Sequence, residues 1–224
     1  MRIGVDLDNT LICYEQVFLA CSRHMGLVPE KWEGNKRELK EFLRKHSGSD
    51  ESWKRLQGQV YGAWSDQATL YSGVYRFLWR CCKRGILVEI VSHKSNYGHY
   101  DQKRTPLRKV AIEFLNRAGI YSCGAKSLID KVIFCSSRDE KLKYICERGF
   151  DWFIDDLPEI LEHVQIADKT ATLGFDPANT SDFSVSEKVG SWIEIESRLF
   201  GKWNDDELNV FAREVSGSPV FGIK

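Results

Sequence analysis

What this chain lacks narrows its role before any motif is read. It has no net charge, with lysine plus arginine and aspartate plus glutamate both at 32, so it shows no overall basic excess of the kind that marks nucleic-acid binding. A local basic groove stays open. Its seven cysteines include no CxxC pair, and an odd number with Cys81 and Cys82 adjacent makes neither a zinc site nor a disulfide frame. Buried thiols in a reducing compartment are the expectation. No apolar run is long enough to span a bilayer, and a strand beginning at Arg2 leaves no room for a signal peptide. A cytoplasmic protein with no membrane partner is therefore expected. Internal repeats and low-complexity tracts are also missing. What remains is 42% hydrophobic and 29% charged over 224 residues, the composition of a globular core large enough for one domain with an insertion or a small cap.

Apolar runs alternate with helical patterns, which predicts an α/β fold: a Rossmann-like parallel sheet with helices on both faces. Strands are expected at Arg2–Asp6, Leu87–Val91, Val132–Phe134, Trp152–Ile154 and Thr170–Gly174, with helices at Tyr14–Met25, Gly73–Arg84, Thr105–Ala118, Arg138–Glu147 and Pro158–His163. The chain between the first two strands is too long for a simple crossover. Residues 12–72 are therefore expected to form an inserted helical cap, with helices at Lys36–His46 and Ser52–Trp64. Its aromatics Trp32, Trp53, Tyr61 and Trp64 read as a small packed core. Residues 1–11 and 73–200 make the sheet-bearing core, and 201–224 a C-terminal helix and tail. That tail follows helices at Trp192–Leu199 and Asp205–Glu214 and ends in an apolar strand, Val220–Lys224. A terminal strand needs a partner, so the chain is expected either to pair it on the sheet or to be the front part of a longer protein.

Polar chemistry gathers where the strands should end. In an open parallel sheet, functional groups collect in the crevice outside the carboxyl ends of the strands. Asp6 and Asp8 follow Ile3-Gly4-Val5, Ser92 follows Ile90-Val91, and Asp155-Asp156 follow Phe153-Ile154. Two acidic clusters converging there repel unless a cation lies between them, which predicts a magnesium site of Asp6, Asp8, Asp155 and Asp156 that handles phosphate. One of Asp6 and Asp8 can attack phosphorus while the other shuttles a proton. An acidic turn would also use Asp8-Asn9-Thr10; in the functional reading Asn9 and Thr10 lie against the phosphate. The Ser92 hydroxyl can donate to a phosphoryl oxygen, though serine also caps helices. His93 and Lys94 point toward the same mouth and are expected to bind substrate. Glu89 is out of place in a central strand.

Three lysines compete as the cationic clamp. Lys131 precedes its strand, at the wrong edge. Ser137 and Glu140 form a capping box, which puts Lys141 in the first turn of a helix, where a cation is electrostatically unfavourable, and on the side of the strand ends. Lys141 is the choice and Lys143 the fallback. Of Asp155 and Asp156, one is expected on the metal and the other on a water or on Lys141; the sequence does not say which.

Asp6-Leu7-Asp8-Asn9-Thr10-Leu11, Ile90-Val91-Ser92, Lys141 and Phe153-Ile154-Asp155-Asp156 occur in an order that resembles the haloacid dehalogenase superfamily, over residues 2 to about 175. The resemblance implies Asp6 as nucleophile, Asp8 as general acid/base, Ser92 and Lys141 as phosphoryl binders, and Asp155 or Asp156 as magnesium ligand with the backbone carbonyl at Asp8. It also implies a cap closing over a small substrate. Dehalogenases of the superfamily lack an acid at the Asp8 position, so phosphoryl transfer is expected here: hydrolysis of a small-molecule phosphomonoester through an aspartyl-phosphate. Two other functions compete. A polynucleotide end phosphatase would use Lys94, Lys103, Arg104 and Arg108 with Tyr97 and Tyr100 as a single-strand groove, although a cap obstructs a polymer. A non-catalytic phosphate-binding domain of a larger bifunctional protein would keep the site without turnover. His99 and Tyr100 are candidates for the leaving group. Neither the particular ester nor the oligomeric state can be read.

Overall fold

A computed structural model describes residues 1–47, 50–122, 127–184 and 186–215. In chain order its strands are β1 (Arg2–Val5), β2 (Ile12–Cys13), β3 (Thr69–Leu70), β4 (Leu87–His93), β5 (Lys131–Cys135), β6 (Trp152–Asp155), β7 (Ala171–Phe175) and β8 (Glu187–Val189). The helices are α1 (Glu15–His24), α2 (Lys36–Ser47), α3 (Glu51–Tyr61), α4 (Val74–Lys83), α5 (Leu107–Arg117), α6 (Arg138–Arg148), α7 (Pro158–Leu161), α8 (Val164–Ala167), α9 (Trp192–Phe200) and α10 (Asp205–Val215). No described helix is long and apolar enough to cross a membrane.

Six strands form one parallel sheet in the order β5-β4-β1-β6-β7-β8, an α/β Rossmann-like fold. The central strands β1, β4 and β6 are largely buried and mostly apolar in their middles, as a parallel sheet between helices requires. Gly4 is needed within β1 because a Cβ there would come within 2.4 Å of the Phe153 ring, which packs across the strand. Glu89 is the exception the sequence pointed to. It is buried in β4 but accepts from Arg148 Nε at 2.8 and 2.9 Å and from the Tyr144 hydroxyl at 3.0 Å, both on α6. Burial favours the neutral acid, but those bonds win and hold its carboxyl below the usual range.

Differences from the sequence expectations lie at short or broken elements. β4 runs on through Ser92 to His93. The helix expected at Pro158–His163 stops at Leu161, and a further short helix, α8, follows it. The one expected at Ser52–Trp64 stops at Tyr61, and a 3-10 turn follows at Ser65–Gln67. β8 has no sequence signal, because three residues with two exposed charges show no apolar alternation. The Val220–Lys224 segment lies outside the described residues.

Between β1 and α4 the chain leaves through β2 and returns through β3, which pair antiparallel. Helices α1, α2 and α3 pack on one another in between. Phe18 stacks on Trp53 with centroids 5.1 Å apart, and Tyr61 meets both Phe18 and Tyr14 edge-on. These helices touch the rest of the chain at several places beyond the β2–β3 stem, among them the following two. Arg37 donates to the Thr180 carbonyl after β7. Gly58 of α3 lies backbone to backbone against Gly98 and His99, where a Cβ would come within 2.6 Å of a carbonyl oxygen.

Candidate active site

Register brings the acidic residues together. Val5 pairs with Ile90 on one side and Ile154 on the other, so the next residues along, Asp6 and Asp155, stand side by side at the carboxyl edge. The Asp6 amide extends the ladder by donating to the Ile154 carbonyl at 2.9 Å. After Asp6 the chain turns tightly: the Leu11 and Ile12 amides both donate to the Leu7 carbonyl, and Asn9 takes a left-handed φ of 67°. That conformation suits asparagine better than most residues. The turn is pinned from outside by Trp192 of α9, whose buried indole N–H donates to the Thr10 carbonyl at 2.9 Å. No sequence signal linked Trp192 to this loop.

Asp6, Asp155 and Asp156 each offer a carboxylate oxygen, all within 4.8 Å of one another. At such separations like charges repel by about 4 kcal/mol per pair, even at an effective dielectric of about 20. Lys141 offsets part of this. Its ammonium is buried and donates to Asp6 Oδ1 at 2.5 Å and to Asp155 Oδ2 at 2.7 Å. Burial works against the ammonium, but the two carboxylates keep it charged and raise its pKa. Lys141 bonds only two of the three carboxylates. Burial raises the Asp6 carboxyl, Lys141 opposes this, and the Asp155 charge adds to the rise. The Asp156 carboxyl is raised well above its ordinary value, chiefly by burial, against the pull of Lys36. An oxygen-only donor set with excess negative charge fits a magnesium ion. Asp6, Asp155 and Asp156 would hold it, and both adjacent aspartates stand in this group. The Asp8 side chain does not join them. It faces Lys94, which donates to both its oxygens at 2.7 and 2.8 Å. Asp8 also lies beside the Tyr14 hydroxyl, whose pKa is raised well above its ordinary value, first by burial and then by the Asp8 charge.

The remaining predicted residues divide. Ser92 ends the buried part of β4, and its hydroxyl is a buried polar group with no partner among the described residues. Such a group normally has one, and here it lines a cleft beside Asp6 and Lys141. Lys141 sits in α6 as expected, behind the Ser137 cap that accepts from the Glu140 amide at 3.1 Å. Asn9 lines the cleft, with its Nδ2 3.5 Å from the Tyr61 hydroxyl and its Oδ1 unpartnered. Thr10 turns its hydroxyl toward Asp6 Oδ2, at 3.4 Å. His93 reaches the cleft wall, and burial, then Arg138 and Lys141, lower its pKa. Lys94 is buried under Asp8 with its ammonium 5.0 Å from the Tyr61 ring centre, so it is engaged with the protein rather than presented to a ligand. His99 and Tyr100 are not at the cleft: His99 packs on Gly58, and Tyr100 lines a separate shallow hollow with Arg55.

The cleft has a volume of about 700 Å³ and lies between the sheet edge and the cap. Its cap wall includes Lys36, Lys40, Trp53 and Tyr61, so two aromatics read as cap core also face the cleft. Its far wall is the loop after β7, where buried Asp176 accepts from the Thr180 and Ser181 amides at 3.0 and 2.8 Å. Asp176 carries the same signal as the other acids, an aspartate directly after an apolar strand, and could have been found by it. The cap residues could not, since a lysine on an amphipathic helix reads as solvated surface.

No family model matches the chain, and no curated protein matches its sequence. Solved structures do match in shape. A predicted phosphatase from Clostridium acetobutylicum aligns at a TM-score of 0.55 and 12% identity, covering 90% of this chain and 98% of the other. The HAD-hydrolase-class protein YfnB of Bacillus subtilis, solved with magnesium bound, aligns at 0.54 and 12%, with the same two coverages. A dehalogenase aligns at 0.52 and 14%, covering 90% and 97%. At these identities the likeness concerns the fold alone: the chain's α/β Rossmann-like fold matches that of haloacid dehalogenase superfamily structures.

Proposed function

We propose that this chain is a magnesium-dependent phosphatase that hydrolyses a small-molecule phosphomonoester through an aspartyl-phosphate on Asp6. The observation that carries the reading is the buried, unpartnered Ser92 hydroxyl on the same cleft floor as the Asp6–Lys141 pair. A phosphoryl group there would take a hydrogen bond from Ser92 and the charge of Lys141, the electrostatic help that a loose phosphoryl-transfer transition state needs. Magnesium held by Asp6, Asp155 and Asp156 would neutralise the phosphoryl oxygens so that an anionic nucleophile can approach.

In the first step an Asp6 oxygen attacks phosphorus, the ester P–O bond breaks, and the departing alkoxide takes a proton from Asp8. In the second, Asp8 takes a proton from water as that water attacks phosphorus, freeing Asp6 and releasing phosphate. Lys94 donates to both oxygens of Asp8, so before the first step one oxygen must leave Lys94 and take up a proton from solvent, which the second step then restores from the attacking water. The presence of an acid at Asp8 favours phosphate esters over carbon–halogen bonds, whose cleavage protonates no alkoxide. In the same reading residues 12–72 act as the cap that selects the substrate, and the protein works in the cytoplasm, where its thiols stay reduced.

The polynucleotide alternative loses support, because Lys94 is tied to Asp8 and Arg108 donates to the Lys94 carbonyl and to Ser136. The test is phosphate release from sugar phosphates, nucleotides and small organic phosphates, with magnesium, with chelator, and with Asp6→Asn. Metal-dependent release that drops at least about a thousandfold in the variant is expected. Wild-type turnover by Asp6→Asn would overturn the mechanism. Magnesium and phosphate binding without any turnover would favour a non-catalytic binding domain.

A further inference from the structure

The cap wall carries charge that the chemistry on the sheet edge does not use. Lys36 and Lys40 are one turn apart on α2, on the face that lines the cleft. Like charges at this spacing destabilise a helix. The arginines of the same helix are paired: Arg37 with Glu41 and Arg44 with Asp50. Among the described residues, no carboxylate pairs with Lys36 or Lys40. Each ammonium lies instead over an aromatic ring, Lys36 at 5.4 Å from the centre of Phe18 and Lys40 at 5.8 Å from that of Trp53. Those two rings stack on each other. The result is a half-buried pair of cations held on an apolar platform and facing a cleft.

Their surroundings differ in a way that fits a missing anion. Burial lowers the pKa of both. For Lys36, the Tyr61 hydroxyl and the carboxylates of Asp156, Glu15 and Asp8 more than offset it. For Lys40, Arg44 and Lys36 add to the effect of burial and outweigh Asp50 and Glu159, so its pKa is lowered. Lys36 thus faces the acidic floor, while around Lys40 burial and neighbouring cations outweigh the carboxylates. A cleft of about 700 Å³ is the size of small-molecule sites in general, and it spans both the phosphoryl-binding floor and this wall.

We propose that Lys36 and Lys40 form an anion subsite for the leaving group, so that the substrate is a phosphomonoester carrying a second negative group, a carboxylate or another phosphate. The proposal rests on the phosphatase reading. Gln57, half-buried on the same wall, supplies a neutral amide beside the cations.

The test compares kcat/KM for matched esters in magnesium. The carboxylate arm is 3-phosphoglycerate against glycerol 3-phosphate, and the phosphate arm is glucose 1,6-bisphosphate against glucose 6-phosphate. At least one doubly anionic member should be preferred tenfold or more, and the arm that shows it names the second group. Lys40→Gln should bring that ratio close to one, mainly through KM, while Lys40→Arg keeps it. An unchanged melting temperature for Lys40→Gln separates loss of the subsite from misfolding. Equal use of both members by the wild type, or a preference that survives Lys36→Gln combined with Lys40→Gln, would overturn the proposal. Hydrolysis of p-nitrophenyl phosphate that needs magnesium and Asp6 keeps the phosphatase reading alive whatever the ratio. If nothing is hydrolysed that reading fails, and calorimetric titration with 3-phosphoglycerate and glycerol 3-phosphate decides the subsite. Tighter binding of the former that is lost in Lys40→Gln supports it, and equal binding overturns it.

Discussion

Two buried charge clusters sit at different places in this molecule, and they are built on opposite principles. At the sheet edge, three carboxylates converge and one ammonium, that of Lys141, pairs with two of them. Where α9 and α10 meet α4, buried Arg80 is surrounded by acceptors: Glu196 at 3.1 Å, Glu207 at 2.9 Å, and the carbonyls of Gly201 and Lys202 at 2.9 and 3.1 Å. Arg76 covers the other oxygen of Glu196, Arg84 pairs with Glu207, and Trp203 stacks under the guanidinium at 4.9 Å. In this second cluster every donor of Arg80 has an acceptor and three arginines face two glutamates. Nothing is left to attract a ligand. The first cluster is left short of positive charge, next to a serine with no partner. A buried cluster that satisfies itself holds helices together, whereas one that does not leaves charge and a hydroxyl open to a cation and an anion from solution.

The contrast breaks most sharply if each cluster loses its central cation. Lys141→Met leaves Asp6 and Asp155 without their bonded cation beside Asp156, and removing one partner of a buried ion pair costs about 3–5 kcal/mol. Urea midpoints measured with chelator should fall accordingly. Adding magnesium should return a good part of the loss, because the same three carboxylates would then hold the metal, by linkage of binding to folding. A variant whose stability ignored magnesium would contradict the reading of this cluster as a cation site.

Arg80→Leu is the matched experiment. Glu196 would remain buried with only Arg76 and Trp203 as partners, and a loss approaching the same ~3 kcal/mol is expected. Here magnesium should recover nothing, and the kcat/KM of the surviving folded protein should stay within about twofold of wild type. Recovery by magnesium equal to that of Lys141→Met would erase the distinction between the two clusters.

Much of the first cluster was legible in the sequence, because strand ends are easy to see. Apolar runs closed by Asp6, Ser92 and Asp155-Asp156 place those residues on one edge as soon as the strands are parallel. Lys141 followed from the Ser137–Glu140 cap. The pairing of Asp8 with Lys94 did not follow: it depends on how tightly the chain turns after Asp6, which Trp192 fixes from 182 positions away. The cap wall was hidden for a different reason, since Lys36 and Lys40 differ from solvated lysines only in what α2 packs against. The second cluster was invisible altogether. Arg80 looks like one more surface arginine on α4 until α10, some 120 residues later, folds across it.

The smallest effect probes the rim of the second cluster through pH. Burial favours the neutral Glu207 acid, but hydrogen bonds from Arg84 and Arg80 outweigh it and hold the carboxyl at about 2. A carboxyl depressed in the folded state binds its proton more readily when unfolded. It therefore contributes stability above its ordinary value of 4.5 and loses it as pH falls from there toward about 2. Glu207→Gln should lower the melting temperature near neutrality by about 2–4 °C, the shift that ~1 kcal/mol produces in a chain of this size. The gap between wild type and variant should narrow steadily below pH 4.5 as the wild-type carboxyl loses its advantage. A gap that stayed constant down to the acid limit would mean that Glu207 contributes through packing, and that the balance of charge in this cluster is not what keeps α10 in place.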